Sequence, residues 1–134
     1  MIDIAPLEAT PQADAALEAL LFETYVRGGF TDAILASTLL AAAVRARGEV
    51  LAARDRPDSL LGTVTLVPPG SPARRFATAE ELELHLLAVR PDARRRGIGE
   101  ALVRDALQRA SATGARGVVL WAQPMMEAPQ RLYR

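Results

Sequence analysis

The chain has 134 residues, of which 50% are apolar and 24% charged, and its 16 basic and 16 acidic side chains cancel. This length predicts one domain, residues 1–134, with a sizeable core. A zero net charge disfavours a general nucleic-acid binder. The chain has no cysteine and one histidine, His85. Disulfides, a cysteine nucleophile, and thiolate or histidine metal clusters are therefore excluded.

The N-terminus and the apolar stretches bear on location. The start MIDIAPLEATPQADAAL carries acids early and has no basic segment before an apolar one, so it does not resemble a signal peptide. The longest apolar stretches, such as residues 33–44, are too short to span a bilayer. We therefore expect a cytoplasmic protein without membrane association.

The first half of the chain predicts a short strand at residues 1–7, two helices and a hairpin. The first helix has Thr10 as its N-cap and ends at Gly28; the second runs from Thr31 to near Gly48. Residues 49–54 and 60–67 are β-rich and flank the turn DRPDS, which favours an antiparallel hairpin. The apolar residues expected to face the core from the two helices are Ala15, Leu17, Leu20, Leu21, Tyr25, Ile34, Leu35, Leu39, Ala42 and Val44.

A loop at residues 68–75 precedes the clearest strand, Glu81–Val89, with the sequence ELELHLLAV. Its alternation predicts leucines on one face and Glu83 and His85 on the other. A helix is expected from about Ile98, ending near Thr113. The run VVLW at residues 118–121 predicts a buried strand parallel to the first, because a helical crossover joins them. Residues 127–134 favour the start of another helix.

The stretch PDARRRGIGEAL, residues 91–102, has the character of an anion site. A helix N-terminus offers unpaired N–H groups and the positive end of the helix dipole. Gly97 and Gly99 allow a bulky anion to approach the backbone, and the arginines at 94–96 add charged donors. The combination favours a phosphate or pyrophosphate site over a solvated turn.

Two nucleotide-binding motifs can be tested against this loop, and both fail. A dinucleotide fingerprint needs a third glycine where Leu102 stands, and a Walker loop needs a lysine, which the chain lacks altogether.

The loop instead resembles the acetyl-CoA-binding motif of the GNAT acetyltransferases, Arg/Gln-x-x-Gly-x-Gly/Ala, which stands here as residues 94–99, RRRGIG. The run HLLAVRPDARRRGIGEALV is similar to that family's fourth strand, pyrophosphate loop and third helix. The resemblance implies an α/β (α+β) fold, with a mixed, mainly antiparallel sheet flanked by helices. The family's last two strands would lie beyond Arg134.

The same resemblance implies acetyl-CoA as co-substrate and direct acetyl transfer to a primary amine, with no metal. Main-chain groups of β-strand residues would pair with the pantetheine arm, and amides of the loop and helix start would hold the pyrophosphate. The implied cofactor-binding residues are Leu87, Ala88, Val89, Arg94, Arg95, Arg96, Gly97, Ile98, Gly99 and Glu100.

For catalysis, the resemblance makes Glu83 a candidate general base, with an exposed strand carboxylate as the equal alternative. Glu81 and His85 share its face and could act through water. A main-chain N–H near Val89 would polarise the thioester carbonyl. The segment APQRLYR is similar to a family motif whose tyrosine is the general acid, here Tyr133.

The acceptor is expected to be a small-molecule or peptide amine, bordered by residues 27–30 and 68–75. The strand at 118–121 would be left as an open sheet edge, which could pair two copies as a homodimer. Two alternatives stand beside the enzyme. One is a non-catalytic acyl-CoA-binding module, and the other is a nucleic-acid-binding fragment using Arg90 and the arginines at 94–96, which the zero net charge disfavours.

Overall fold

The computed structural model describes residues 2–27, 37–120 and 130–133. A four-residue strand precedes two short helices, and a run of strands then leads to the long helix. The elements are β1 (Asp3–Pro6), α1 (Pro11–Leu21) continued by a π-helical turn (Phe22–Val26), α2 (Ala41–Arg47), β2 (Glu49–Arg56), β3 (Ser59–Val67), β4 (Glu81–Val89), a 3₁₀ turn (Pro91–Ala93), α3 (Ile98–Ala112), β5 (Gly117–Leu120) and β6 (Gln130–Tyr133).

The strands form one sheet in their sequence order, β1 to β6. Neighbouring strands are antiparallel except β4 and β5, which are parallel and are joined by α3. This arrangement confirms the predicted mixed, mainly antiparallel sheet and the helical crossover. Strand β3 is buried along its whole length, because it lies inside the sheet and helices cover both of its faces.

Two apolar clusters flank the sheet. Helices α1 and α2 pack on one face around Leu17 and Val44, and α3 packs on the other around Ile98 and Leu102, all at most 1% exposed. Strand β4 contributes to both sides: Leu84 faces α3, whereas Ala88 faces α1 and α2.

The helix ends follow the predicted capping. The hydroxyl of Thr10 accepts a hydrogen bond of 3.1 Å from the N–H of Ala13, and α2 ends at Arg47 before Gly48. The predicted core faces of these helices are wrong for one alanine in each and are confirmed for the other described residues, which are Leu17, Leu20, Leu21, Tyr25, Leu39 and Val44. Ala13 and Ala41 are buried, whereas Ala15 and Ala42 are exposed.

Part of the predicted second helix lies outside the described residues. This holds for Thr31, Ile34 and Leu35, whereas Leu39 is buried as expected. Within the described part of this second predicted helix, regular α-helix begins only at Ala41.

The predicted C-terminal helix at residues 127–134 is wrong for the part that is described. Residues Gln130–Tyr133 form β6, antiparallel to β5, with Val118 opposite Leu132. The expectation that residues 118–120 form an open sheet edge is therefore also wrong, because β6 pairs with that edge. Unsatisfied strand N–H and C=O groups favour such pairing.

Strand β4 carries a bulge next to the candidate site. Thr65 on β3 pairs with His85, but Thr63 pairs with Ala88, so β4 has one residue more than β3 over this interval. Leu86 takes a positive φ of 54° at this point. Such an insertion bends the strand and turns its main-chain groups. Because of the bulge, the residues after His85 change their facing relative to simple alternation.

Candidate functional site

The loop between β4 and α3 has the backbone of an anion-binding turn. It begins with the 3₁₀ turn, whose Ala93 is fully buried and fixes the loop on the core. Arg95 and Gly97 then both take positive φ, 68° and 74°. Alternation of left-handed and right-handed residues turns successive N–H groups toward a common point.

The start of α3 leaves its first N–H groups open. The first intrahelical bond runs from the N–H of Ala101 to the carbonyl of Gly97, and none of the described side chains caps this end. The N–H groups of Ile98, Gly99 and Glu100 thus lie at the positive end of the helix dipole and have no protein partner in the described part. A Cβ built on Gly97 would meet no atom within 4 Å.

The structure brings the predicted cofactor-binding residues of β4 and α3 together. A Cβ built on Gly99 would lie 3.7 Å from Cγ2 of Val89 and 4.0 Å from Cδ2 of Leu87. The side chain of Arg94 folds back, and its Nε donates to the carbonyl of Val89 at 3.4 Å. The guanidinium of Arg96 lies 3.9 Å from the carboxylate of Asp55.

Beside this loop, one side of the β4 main chain is not paired with another described strand. The N–H of Arg90 donates to the carbonyl of Leu61 on β3. Successive residues of a strand point their main-chain groups to opposite sides, so those of Val89 and, by the same alternation, Leu87 point away from β3. On that side, the described pairing with β5 ends at Leu84 and Leu120.

Glu83 is fully buried, at 0% exposure, so the alternative of an exposed strand carboxylate is wrong. Its two oxygens accept hydrogen bonds of 2.6–3.1 Å from the main-chain N–H groups of Arg75, Phe76 and Ala77. A further bond comes from the ring of His85. Burial alone would raise the pKa of Glu83, but these bonds outweigh burial and lower it.

The contacts of His85 fix its tautomer. A guanidinium can only donate, so the 3.1 Å contact between Nη1 of Arg47 and Nδ1 of His85 makes Nδ1 the acceptor. The proton of the neutral ring then sits on Nε2 and is donated to Glu83. Burial lowers the pKa of His85 despite its carboxylate partner. Arg47, His85 and Glu83 thus form a chain of hydrogen bonds, in which the carboxylate is the last acceptor.

Sequence reasoning missed Arg47 and the polar role of Tyr25, which had been assigned to the core. The Tyr25 ring is 8% exposed, and its hydroxyl donates to the carbonyl of Leu87 at 2.7 Å. Helical periodicity placed Tyr25 inward, but it gave no signal for a partner on β4. Arg47 carried no signal beyond its place at the end of α2.

Several predicted residues cannot be placed at the site. In β6, the main chain of Tyr133 pairs with that of Gly117 on β5. The side chain of Tyr133 lies outside the described part. Residues 28–30 and 121–129, which include Trp121 and Ala128, are also outside it. Within residues 2–27, 37–120 and 130–133, three or more acidic or histidine side chains nowhere gather into a metal-binding group. The described helices include none that is long and apolar enough to cross a membrane.

Comparison with known proteins gives a family match. The family described as acetyltransferase (GNAT) matches residues 15–134. A mycothiol acetyltransferase from Mycobacteroides abscessus is 41% identical over 75 residues, which cover 56% of this chain and 23% of that protein. The chain therefore spans about a quarter of the length of this curated relative.

Solved structures share the fold. A GNAT-family acetyltransferase from Brucella melitensis, in complex with acetyl-CoA, superposes with a TM-score of 0.71 at 22% identity, covering 99% of this chain and 88% of that one. A Bacillus subtilis acetyltransferase in complex with CoA has a TM-score of 0.59 at 23% identity, covering 90% of this chain and 64% of that one.

Proposed function

We propose that this chain, which belongs to the GNAT acetyltransferase family, transfers an acetyl group from acetyl-CoA to an amine. The observation that carries the proposal is the uncapped start of α3 facing the unpaired side of β4. Family membership and the acetyl-CoA complex of the Brucella melitensis protein support the choice of donor.

The residues present fit the diphosphate of CoA. The N–H groups of Ile98, Gly99 and Glu100 and the positive φ of Gly97 supply a main-chain cradle, and the space beside Gly97 is open. The arginines at 94–96 add positive charge at the mouth of the loop. Arginine is suited to phosphate because its planar fork donates two parallel hydrogen bonds.

Main-chain groups of Leu87 and Val89 would extend the binding along β4. No described strand pairs with their side of β4 beyond Leu84. The carbonyl of Leu87 accepts from Tyr25 and that of Val89 from Arg94, so their N–H groups are the ones left for a ligand to pair with, as an added strand does. A main-chain N–H near Val89 would donate to the thioester oxygen as charge develops on it. In the reaction a C–N bond forms and a C–S bond breaks, while the amine loses one proton and the thiolate gains one.

The proposed base, Glu83, and the proposed acid, Tyr133, differ in their described contacts. Glu83 as general base stays a prediction, and its geometry favours another role. A carboxylate with four donors and a lowered pKa is a weak proton acceptor. We propose that it positions His85 and the loop at residues 75–77. Tyr133 as general acid, the acceptor's identity and a cytoplasmic location also stay predictions.

Calorimetry of acetyl-CoA binding tests the donor site, with the Gly97→Trp variant as its probe. An indole at this position would fill the space in front of the cradle, so we expect binding to fall by at least about a hundredfold. Gly114→Trp is a matched control, since Gly114 follows the other end of α3 with a φ of 87° and also has no atom within 4 Å of a built Cβ.

Both variants carry the same backbone strain, so only Gly97→Trp should lose the ligand. Equal affinity in the two variants, or no binding to the unmodified chain, contradicts the proposal. Binding without acetylation across a broad panel of amines would indicate a non-catalytic CoA-binding module.

A further inference from the structure

Most described arginines are neutralised by a neighbouring acid. Nine of them lie within 4.0 Å of a carboxylate: Arg27, Arg45, Arg54, Arg56, Arg90, Arg96, Arg104, Arg109 and Arg116. The other arginines whose side chains are described have no such partner there: Arg47, Arg74, Arg75, Arg94 and Arg95. Arg94 and Arg95 lie in the proposed pyrophosphate loop, Arg47 and Arg75 lie near the buried Glu83 and His85, and Arg74 is exposed in the loop before Arg75.

Arg47 is the more constrained of the two arginines near His85. It is half-buried at the end of α2, and the only described hydrogen bond of its guanidinium goes from Nη1 to His85. Burying a guanidinium without a carboxylate costs free energy. Burial is the main cause that lowers the pKa of Arg47, and the positive charge of Arg75 lowers it further. The guanidinium retains donors that the described protein does not use.

Arg75 is brought to the same place by its main chain. Its N–H donates to both carboxylate oxygens of Glu83, at 3.1 and 3.0 Å. The positive charge of its side chain acts on both Arg47 and His85. Glu83 does not neutralise either guanidinium by direct contact, because main-chain N–H groups and the His85 ring occupy its oxygens. The charges of Arg47 and Arg75 therefore act on each other beside His85, and neither guanidinium contacts a carboxylate of the described residues.

This region lies where an acceptor would approach. His85 and Glu83 are on the face of β4 opposite the leucine that packs against α3. His85 immediately precedes the bulge at Leu86, so Arg47 contacts the strand about 7 Å, or two residues, before Leu87. The positive pair is thus close to the proposed thioester position, on the side away from α3.

We propose that Arg47 and Arg75 bind the carboxylate of the acceptor, so that the acceptor is an amine that also carries a carboxylate. The inference rests on the proposed function and deepens it. Paired guanidinium groups hold a carboxylate through several charged hydrogen bonds. They repel an acceptor whose only charges are positive, such as a polyamine.

Calorimetry on the CoA-saturated protein tests this selectivity directly. The titrants are the common L-amino acids, each compared with its carboxamide, which keeps the amine and removes the negative charge. At least one acid should bind more tightly than its amide by about tenfold to a hundredfold, as charged hydrogen bonds are worth. Comparison with β-aminoethyl phosphate distinguishes a carboxylate from a phosphate as the preferred anion.

Two variants assign the preference to residues. Arg47→Gln keeps a donor for Nδ1 of His85, and Arg75→Gln leaves the main-chain bonds to Glu83 in place, so both should fold while losing most of the preference for the acid. Arg116→Gln is the charge-matched control, because Arg116 is exposed and pairs with Glu80 near the start of β4. Circular dichroism checks that each variant is folded.

The outcomes separate this inference from the proposed function. If CoA does not bind, the proposed function fails. If CoA binds but no acid binds, acids and amides bind equally, the phosphate is preferred, or both variants keep the full preference, then the carboxylate site is overturned and the donor site stands.

Discussion

The hydroxyl of Tyr25 donates a 2.7 Å hydrogen bond to the carbonyl of Leu87, which joins the first helical segment to the strand that opens the proposed cofactor site. Tyr25 lies in the π-helical turn that continues α1. π-Helical turns recur at functional sites. Burial raises the pKa of Tyr25 to about 12, so its hydroxyl stays protonated and remains the donor at neutral pH.

Tyr25→Phe should therefore loosen the β4 bulge. We expect a loss of about 1 kcal/mol in the free energy of unfolding and a fall of up to about tenfold in kcat/KM, since a small displacement of a positioning group slows the reaction. Chemical denaturation and steady-state kinetics measure the two effects. Thr24→Val is the control. It removes a hydroxyl that donates to Leu20 within the same turn at 2.8 Å, so it should lower stability without changing kcat/KM.

Glu83→Gln separates an anchoring role from a general base. Glutamine keeps one oxygen for the N–H groups of Phe76 and Ala77. Its amide nitrogen then replaces Oε2 and cannot accept from the His85 ring or the Arg75 N–H. We expect unfolding to become easier by about 2 to 4 kcal/mol, together with faster amide exchange in residues 75–77. Glu81→Gln is the matched control on the same face, where the carboxylate accepts from Thr78.

If Glu83 acted mainly as the base, the variant would instead keep its stability and lose turnover. The limb of the pH–rate profile on which the rate rises with pH would then change, because it reports deprotonation of the base. Glu81→Gln would leave that limb unchanged.

His85 should be neutral with its proton on Nε2. Because it is the chain's single histidine, ¹⁵N spectra of labelled imidazole report it without ambiguity. We expect a pKa below the ordinary 6.5, since burial disfavours the cation and the neighbouring charges of Arg47 and Arg75 add to this against the attraction of Glu83. A proton found on Nδ1 contradicts the hydrogen-bond chain.

The same shift makes stability depend on pH. Below pH 6.5 the unfolded chain binds a proton that the folded chain resists, so the free energy of unfolding should fall as pH falls. The slope from this one group is at most about 1.4 kcal/mol per pH unit. The lowered pKa of Glu83 adds a second loss only below its ordinary 4.5. Denaturation curves of His85→Gln should show a flatter slope between about pH 6.5 and pH 5.

Local patterns in the sequence predicted the strand, turn and helix of the proposed cofactor site. Alternation located β4, helical spacing located α3, and the glycines located the turn between them, because each of these is set by neighbours along the chain. The environment of Glu83 could not be predicted in this way. Alternation put it on a face with His85, but its partners come from residues 75–77 and, through His85, from Arg47, which is 36 residues earlier.

Two errors have physical causes of the same kind. In the alanine-rich α1, Ala13 and Ala15 are equally hydrophobic, so residue type alone does not tell which of the two faces the core. In β6, the residues favour a helix locally, but the unpaired edge of β5 offers hydrogen bonds to Leu132 and its neighbours. Tertiary pairing overrides local propensity in such short segments.

Arg95→Gly tests whether the backbone or the side chains of the loop hold the diphosphate. Arg95 has a φ of 68°, which costs a non-glycine residue about 1 kcal/mol. Glycine removes that strain at the expense of a more flexible unfolded chain, so stability should change by less than about 1 kcal/mol. If the main-chain N–H groups carry most of the binding, the affinity for acetyl-CoA should fall by less than about fivefold, and the loss should shrink as salt is added.

Arg95→Asn is the matched variant, because asparagine also tolerates positive φ and removes the same charge without adding flexibility. Similar calorimetric losses in the two variants would assign the effect to charge alone, whereas a loss above about a hundredfold in both would make the Arg95 guanidinium a principal ligand.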